Sequence, residues 1–220
     1  MTSKERFITA LERRTPDRLP VTTHHLMDSF LKDTMGGQSS DAFFQTFGMD
    51  PIRWVVAHRP SNPDTEFPDP GQGQIGFLDA RRVASDQWRI REEPLPGHAY
   101  PTVRYTIETP GGSLSTVLQS NQHTTWVTEH LIKDPRDIDL IANYATSPAC
   151  DVEAINRAAE DFGDQGLVRG HFCCFDIYGQ PGCWQDAACL VGIENLILAT
   201  FDDPDWVHSL LRILLDRKLA

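Results

Sequence analysis

Residues 151–172, DVEAINRAAEDFGDQGLVRGHF, decide the fold class because they place a helix, a turn and a strand in immediate succession. Ala154 and Ile155 begin an apolar pattern at helical spacing, and Gly163 ends it. The short run 167–172 is rich in β-forming residues and bounded by glycine, which predicts a buried strand. A helix that leads directly into a buried strand is typical of α/β proteins.

The same alternation extends in both directions from this stretch. Towards the N-terminus, 19–23 and 51–57 are predicted strands, with helical patterns between them. Towards the C-terminus, apolar residues at helical spacing predict helices over 187–197 and 207–215, the second starting at Pro204. The sequence therefore predicts about three strand–helix units.

A different pattern lies between these units. Residues 83–91, 100–108 and 113–119 alternate in polarity, and Pro110-Gly111-Gly112 forms a turn between the last two. This predicts antiparallel hairpins over about 82–128. We interpret them as an insert in the α/β core rather than as a separate domain.

Composition excludes several classes of function. The chain has 220 residues, 20 Lys+Arg against 31 Asp+Glu and a formal net charge of -11, so no nucleic-acid partner is expected. No apolar stretch is long enough for a signal peptide or a membrane span, and five cysteines are an odd number without disulfide-framework spacing. We expect a cytoplasmic protein with reduced thiols.

The unit count leaves two architectures open. A closed (β/α)8 barrel needs eight units and typically about 250 residues, whereas about three units are found here. The chain is thus a small open α/β sheet with an antiparallel insert, or the N-terminal part of a TIM barrel. The abrupt end after the last helix favours the second, so we expect residues 1–220 to form a single incomplete barrel domain.

Six segments carry a resemblance to a known family, and they occur in the family's order: 3–7, 16–21, 109–112, 126–137, 192–194 and 202–205. Together they resemble the N-terminal part of the uroporphyrinogen decarboxylase superfamily. That superfamily contains porphyrin decarboxylases and zinc- and corrinoid-dependent methyltransferases, all (β/α)8 barrels. The resemblance implies the same fold here.

The branch is indicated by two departures from the decarboxylase pattern. The decarboxylases follow their first strand with arginines that hold substrate carboxylates, whereas no arginine occurs here between Arg18 and Arg53. Their essential aspartate ends the second strand, whereas Asp50 precedes it. The resemblance therefore implies methyl transfer between a small methylated compound or a corrinoid and an acceptor, with porphyrin decarboxylation as the alternative.

Two further expectations concern activity and partners. Since the zinc-binding strands of the family come later, we expect little or no catalysis by residues 1–220 alone. A small-molecule substrate and a corrinoid protein are the implied partners. A non-catalytic binding or assembly module, which associates through an open sheet edge, is the remaining alternative.

Candidate site residues follow from barrel geometry, because barrel active sites form where strands end. His24 and His25 follow the first predicted strand and are candidate catalytic acid/base groups, although capping or surface histidines would look the same. Asp176, Tyr178 and Gln180 follow the strand at 167–172 and are candidate substrate contacts, with ordinary loop polarity as the alternative.

A possible metal site lies in the cysteine-rich segment. His171 and Cys173 share one side of a strand by two-residue alternation, and Cys183 follows ten residues later, a set of ligands that suits zinc. Packing cysteines are the alternative, and this segment matches an earlier strand than the zinc-bearing one of the family. We expect no cofactor within this chain; zinc and a corrinoid are implied only for a full-length methyltransferase relative.

Overall fold

The computed structural model describes residues 1–24, 26–56, 66–68, 81–121, 124–147, 149–171 and 182–219. Their helices and strands, in chain order, are α1 (Ser3–Leu11), α2 (Asp28–Asp33), α3 (Ser40–Thr46), β1 (Ile52–Val56), β2 (Glu66–Pro68), β3 (Arg81–Val83), β4 (Arg89–Pro94), β5 (Thr102–Thr109), β6 (Gly112–Ser120), β7 (Thr125–Glu129), α4 (Asp137–Tyr144), α5 (Val152–Phe162), β8 (Leu167–His171), α6 (Cys183–Val191), α7 (Ile193–Asp202) and α8 (Pro204–Leu219).

The described residues fall into two compact units. The parallel unit contains those in 1–56 and 151–171, and the antiparallel unit contains those in 66–68, 81–150 and 182–219. The predicted mixed α/β class is confirmed. The described strands do not close into a barrel: they form one parallel sheet of two strands, one antiparallel pair and one antiparallel sheet of four.

Helix starts follow from local capping chemistry. The Thr2 hydroxyl accepts from the Glu5 N–H at 3.1 Å, and the Glu5 carboxylate accepts from the Thr2 N–H at 2.8 Å, so the reciprocal cap of α1 is present. Asp151 caps α5 and Asp203 caps α8 through their carboxylates. Each cap satisfies N–H groups that the helix itself leaves without partners.

The parallel sheet pairs β1 with β8, and Trp54 lies opposite Arg169 in its register. The strands expected over 51–57 and 167–172 are therefore confirmed over Ile52–Val56 and Leu167–His171, and residues 57 and 172 lie outside the described residues. The strand expected over 19–23 is wrong, since these residues have no strand assignment. Pro20 has no N–H to donate, and the N–H of Val21 binds the Asp50 carboxylate instead of a neighbouring backbone carbonyl.

Residues 21–24 nevertheless run beside β1. The Asp50 N–H donates to the Val21 carbonyl at 2.6 Å, and the Trp54 indole N–H donates to the His24 carbonyl at 2.8 Å. From the first contact to the second, both segments run towards their carboxyl ends. The segment 21–24 therefore follows β1 in a parallel sense, joined mainly by side-chain hydrogen bonds.

One face of the parallel pair is covered by α5. The Arg53 guanidinium carbon lies 4.1 Å from the ring centroid of the buried Phe162, and a Cβ at Gly170 would lie 3.3 Å from the Ile155 side chain. Because side chains alternate along a strand, Trp54 and Arg169 point to the opposite face.

The antiparallel unit confirms the hairpins expected over about 82–128. Strands β4 to β7 pair in chain order, and β5 and β6 are joined by a tight turn at Pro110-Gly111. Their buried face packs with the helices in one hydrophobic core, whose fully buried members include Trp88, Ile107, Ile141, Leu196, Leu210 and Leu214. Whether this unit is an insert in a barrel domain stays a prediction.

No helix in the described ranges combines the length and the apolar character needed to cross a membrane.

Candidate functional site at the carboxyl ends of the parallel strands

The candidate site lies at one edge of the parallel unit. Because β1 and β8 are parallel and 21–24 runs in the same sense, their carboxyl ends meet at the same edge. His24 ends the first segment and His171 is the last residue of β8. The sequence predicted His24 at a strand end and His171 within the strand 167–172, and the backbone brings the two residues to the same edge.

The remaining expected site residues are not all described. His25, Cys173, Asp176, Tyr178 and Gln180 lie outside the described residues. Their predicted roles stay predictions.

Trp54 holds His24 in place. The two ring centroids are 5.1 Å apart with an interplanar angle of 84°, an edge-to-face contact. The indole N–H also binds the His24 carbonyl, so the side chain and the backbone of His24 are both fixed by the same tryptophan. The imidazole itself remains exposed to solvent.

Arg169 lies on the same tryptophan. Its guanidinium carbon is 4.1 Å from the Trp54 ring centroid, which is the geometry of a cation–π contact. Arg169 is exposed, and its position follows from the register that places it opposite Trp54 on the neighbouring strand. We call His24, Trp54 and Arg169 the edge cluster.

The edge cluster sets the charge state of its histidine. Partial burial is the main cause that lowers the pKa of His24, and the positive charge of Arg169 lowers it further. His24 is therefore a neutral imidazole at neutral pH, with one nitrogen able to accept a proton. An exposed neutral imidazole at this edge of the parallel sheet is suited to general base chemistry.

At the opposite, amino end of β1 lies a fully buried carboxylate, Asp50. It accepts hydrogen bonds from the Ser3 hydroxyl at 2.8 Å and the Val21 N–H at 2.9 Å, and it forms ion pairs with Arg6 and with Arg18. Burial alone would raise the pKa of Asp50, but these hydrogen bonds and charges outweigh it and lower the pKa. Asp50 is thus an ionised structural anchor that joins α1, 16–21 and β1.

Asp17 completes this anchor. Its carboxylate binds the Arg6 guanidinium at 2.7 and 3.0 Å, a bidentate pair that holds the pKa of Asp17 well below its usual range. Segments 3–7 and 16–21, which carry part of the family resemblance, therefore meet at Asp50. The sequence prediction that Asp50 lies at the start of its strand is confirmed.

Sequence reasoning did not single out Trp54 or Arg169. Each looks like an ordinary strand residue, and their proximity depends on the pairing of strands more than 100 residues apart. The signal that could have found them is the alternation of side chains along each strand, because it places both residues on the face that α5 does not cover.

The predicted zinc ligands are not assembled in what the structure describes. Cys183 is the first residue of α6 in the antiparallel unit, and its thiol is free and partly exposed. Across the described ranges, no three histidine, cysteine, aspartate or glutamate side chains converge as metal ligands do. The zinc site at His171, Cys173 and Cys183 stays a prediction from the sequence.

No protein-family model, no curated protein and no solved structure matches this chain. We therefore base the function on the six sequence segments of the family resemblance and on the geometry of the edge cluster.

Proposed function

We propose that the parallel unit belongs to a (β/α)8 barrel of the uroporphyrinogen decarboxylase superfamily, in its methyltransferase-like branch. Residues 1–220 would supply the first strands of that barrel. The activity would be methyl transfer between a small methylated compound or a corrinoid and an acceptor. The observation that carries the proposal is the position of His24 at the carboxyl ends of parallel segments arranged in chain order.

The order of the segments supports a barrel. In a (β/α)8 barrel each strand lies between its neighbours in the chain, whereas a doubly wound open sheet reverses its order at a switch point. Here 21–24 lies beside β1, and β1 pairs with β8. One face of this pair is covered by α5, as the outer face of a barrel strand would be.

The chemistry of the edge cluster suits proton removal from a methyl acceptor. As the bond between donor and methyl carbon breaks and the bond between acceptor and methyl carbon forms, the acceptor must lose its proton. His24 would take that proton, because its lowered pKa keeps the imidazole neutral and accepting. Trp54 would keep the ring oriented during the transfer.

The first experiment concerns the DNA that follows the codon for Ala220. The proposal expects an in-frame continuation with a His-x-Cys and a distant Cys, the metal ligands of the methyltransferases. The longer product should demethylate methylcobalamin in the presence of a thiol and zinc. The reaction is monitored by the loss of the absorbance of the cobalt–carbon bond. Residues 1–220 alone should show little or no turnover.

The role of His24 is tested in the same assay. His24→Gln should lower kcat by about 100-fold or more, as expected for loss of a general base, without changing the bound zinc. His98→Gln is the matched control, since His98 is an exposed histidine of the antiparallel unit. A product that lacks the metal-binding motif, or that transfers methyl groups equally well without His24, would contradict the proposal.

Porphyrin decarboxylation is the second candidate, and Arg169 is the observation that favours it. An exposed guanidinium at the carboxyl ends of the strands is suited to bind a substrate carboxylate. The assay is formation of coproporphyrinogen from uroporphyrinogen. We expect no product; clear product formation that is lost in Arg169→Gln would reverse the ranking of the two activities.

A further inference from the structure

A cavity separate from the edge cluster lies within the antiparallel unit. It has a volume of about 470 Å³ and is formed by the end of β7, the turn that follows it, and helices α6 to α8. Its walls are largely apolar and include Ile132, Val191, Leu198 and Trp206. Cavities of about 300–1,000 Å³ with apolar walls and a few polar groups are typical of small-molecule sites.

Two polar side chains in the lining already have hydrogen-bond partners. His130 Nδ1 lies 2.9 Å from the Cys189 carbonyl, and because a carbonyl only accepts, Nδ1 carries a hydrogen. The amide nitrogen of Asn195 donates to the Val191 carbonyl at 3.2 Å.

The indole N–H in the lining is also used. The Trp206 indole N–H donates to the Pro135 carbonyl at 2.8 Å. What this side chain offers a ligand is therefore its apolar ring, whose face also attracts cations.

The charges that line the cavity are unequal in sign. Four carboxylates contribute to it, from Glu129, Asp134, Asp202 and Asp203, against one ammonium, from Lys133. That ammonium already binds the Glu129 carboxylate at 2.9 Å, and the Arg136 guanidinium pairs with the Asp134 carboxylate at 3.0 Å. The Asp203 carboxylate accepts from the Trp206 backbone N–H at 3.0 Å. Asp202 is exposed at the end of α7 and forms no ion pair with any residue the structure describes.

We propose that this cavity binds a small organic cation, a primary ammonium attached to an apolar body. The ammonium meets an excess of carboxylates, of which Asp202 has no ion pair within the described residues. The apolar body packs against Leu198 and the Trp206 ring. An anion of the same shape would meet like charges.

The experiment titrates the 220-residue chain with phenethylammonium and, separately, with phenylacetate, which has a similar size and the opposite charge. Binding is followed in ¹H–¹⁵N spectra through the indole N–H signal of Trp206, assigned with Trp206→Phe. We expect saturable shifts with the ammonium probe and none with the carboxylate. Absence of saturation, or equal binding of phenylacetate, would overturn the proposal.

Asp202→Asn tests the charge directly. It should weaken the binding of phenethylammonium about fivefold, as expected for the loss of one ion pair near the surface. Asp216→Asn is the matched control, because Asp216 is an exposed carboxylate of α8 that does not line the cavity. Equal weakening by both variants would show a general effect of net charge and would refute the assignment of the site.

Discussion

Replacing Asp50 by asparagine should strongly destabilise the parallel unit. One carboxylate oxygen accepts from Ser3, Arg6 and Arg18, and the other accepts from the Val21 N–H and again from Arg18. An amide keeps only one accepting oxygen, so at least two of these contacts lose their acceptor in either orientation, at about 1–3 kcal/mol each. With the loss of a buried negative charge between two arginines, we expect a decrease of about 4 kcal/mol in the free energy of unfolding.

The tryptophans allow this loss to be measured in the unit where it occurs. Trp54 lies in the parallel unit, and Trp88, Trp126, Trp184 and Trp206 lie in the antiparallel unit. Urea unfolding of protein labelled with 5-fluorotryptophan, followed by ¹⁹F NMR, separates their transitions. For an m-value of about 2 kcal/mol/M, the Trp54 transition should move to lower urea by about 2 M in Asp50→Asn.

Asp41→Asn is the matched control within the same unit. Asp41 pairs with Arg53 at 3.2 Å, but its carboxylate is 56% exposed, so its loss should cost less than about 1 kcal/mol. If the Trp54 midpoint in Asp50→Asn falls no further than in Asp41→Asn, the anchor does not stabilise the fold and the argument from burial is wrong.

Four further predictions concern two basic side chains, one glycine and the pH dependence of the Asp50 anchor. Lys218→Met should lower the free energy of unfolding of the antiparallel unit by about 3 kcal/mol in urea melts, because Lys218 lies 2.9 Å from the fully buried Asp186 carboxylate. Arg212→Met is the control: Arg212 lies on the exposed side of α8, so its replacement should change the free energy of unfolding little. Gly192→Ala should lower the free energy of unfolding by about 2–4 kcal/mol in the same melts, because φ is +92° and a Cβ would lie 2.9 Å from His130 Nε2. Gly97→Ala is the control: φ is +87° and the space around it is open, so this variant measures the backbone strain alone. Arg169→Gln should raise the pKa of His24 towards 6.5 in a ¹H NMR titration, although burial keeps it lowered; an unchanged value would show that the guanidinium charge does not act on the ring. Because the folded pKa of Asp50 is lowered from 3.8, its stabilising contribution is present above that pH and is lost as pH falls below it, so wild-type stability should decrease more steeply in acid than that of Asp50→Asn.

The strands and helices were largely predictable because their signals are local. The alternation in 100–108 and 113–119 predicted the hairpin of β5 and β6, and the caps at Thr2 and Asp203 predicted the helix starts. The strand expected over 19–23 failed because its hydrogen bonds go to side chains, Asp50 and Trp54, that the local pattern cannot foresee.

The candidate sites were predictable only in part. His24 was expected at the end of a strand over 19–23; that strand is absent, but the segment 21–24 still brings His24 to the edge of the parallel sheet. Its partners Trp54 and Arg169 come from two strands whose pairing closes a long loop of chain, and no sequence periodicity encodes which strands pair. The donors and acceptors around His130 and Trp206 depend in the same way on contacts between distant elements.

The sequence by itself determined the α/β class, the position of the antiparallel hairpins and the helix caps, because capping and alternation act within a few residues. Only the tertiary structure decided that Asp50 is an ionised anchor, that His24 shares Trp54 with Arg169, and that the carboxylates and apolar side chains near Trp206 line a cavity. Burial and charge at these places arise from residues far apart in the chain, and both the pKa of a group and its hydrogen-bond partners depend on that assembled environment.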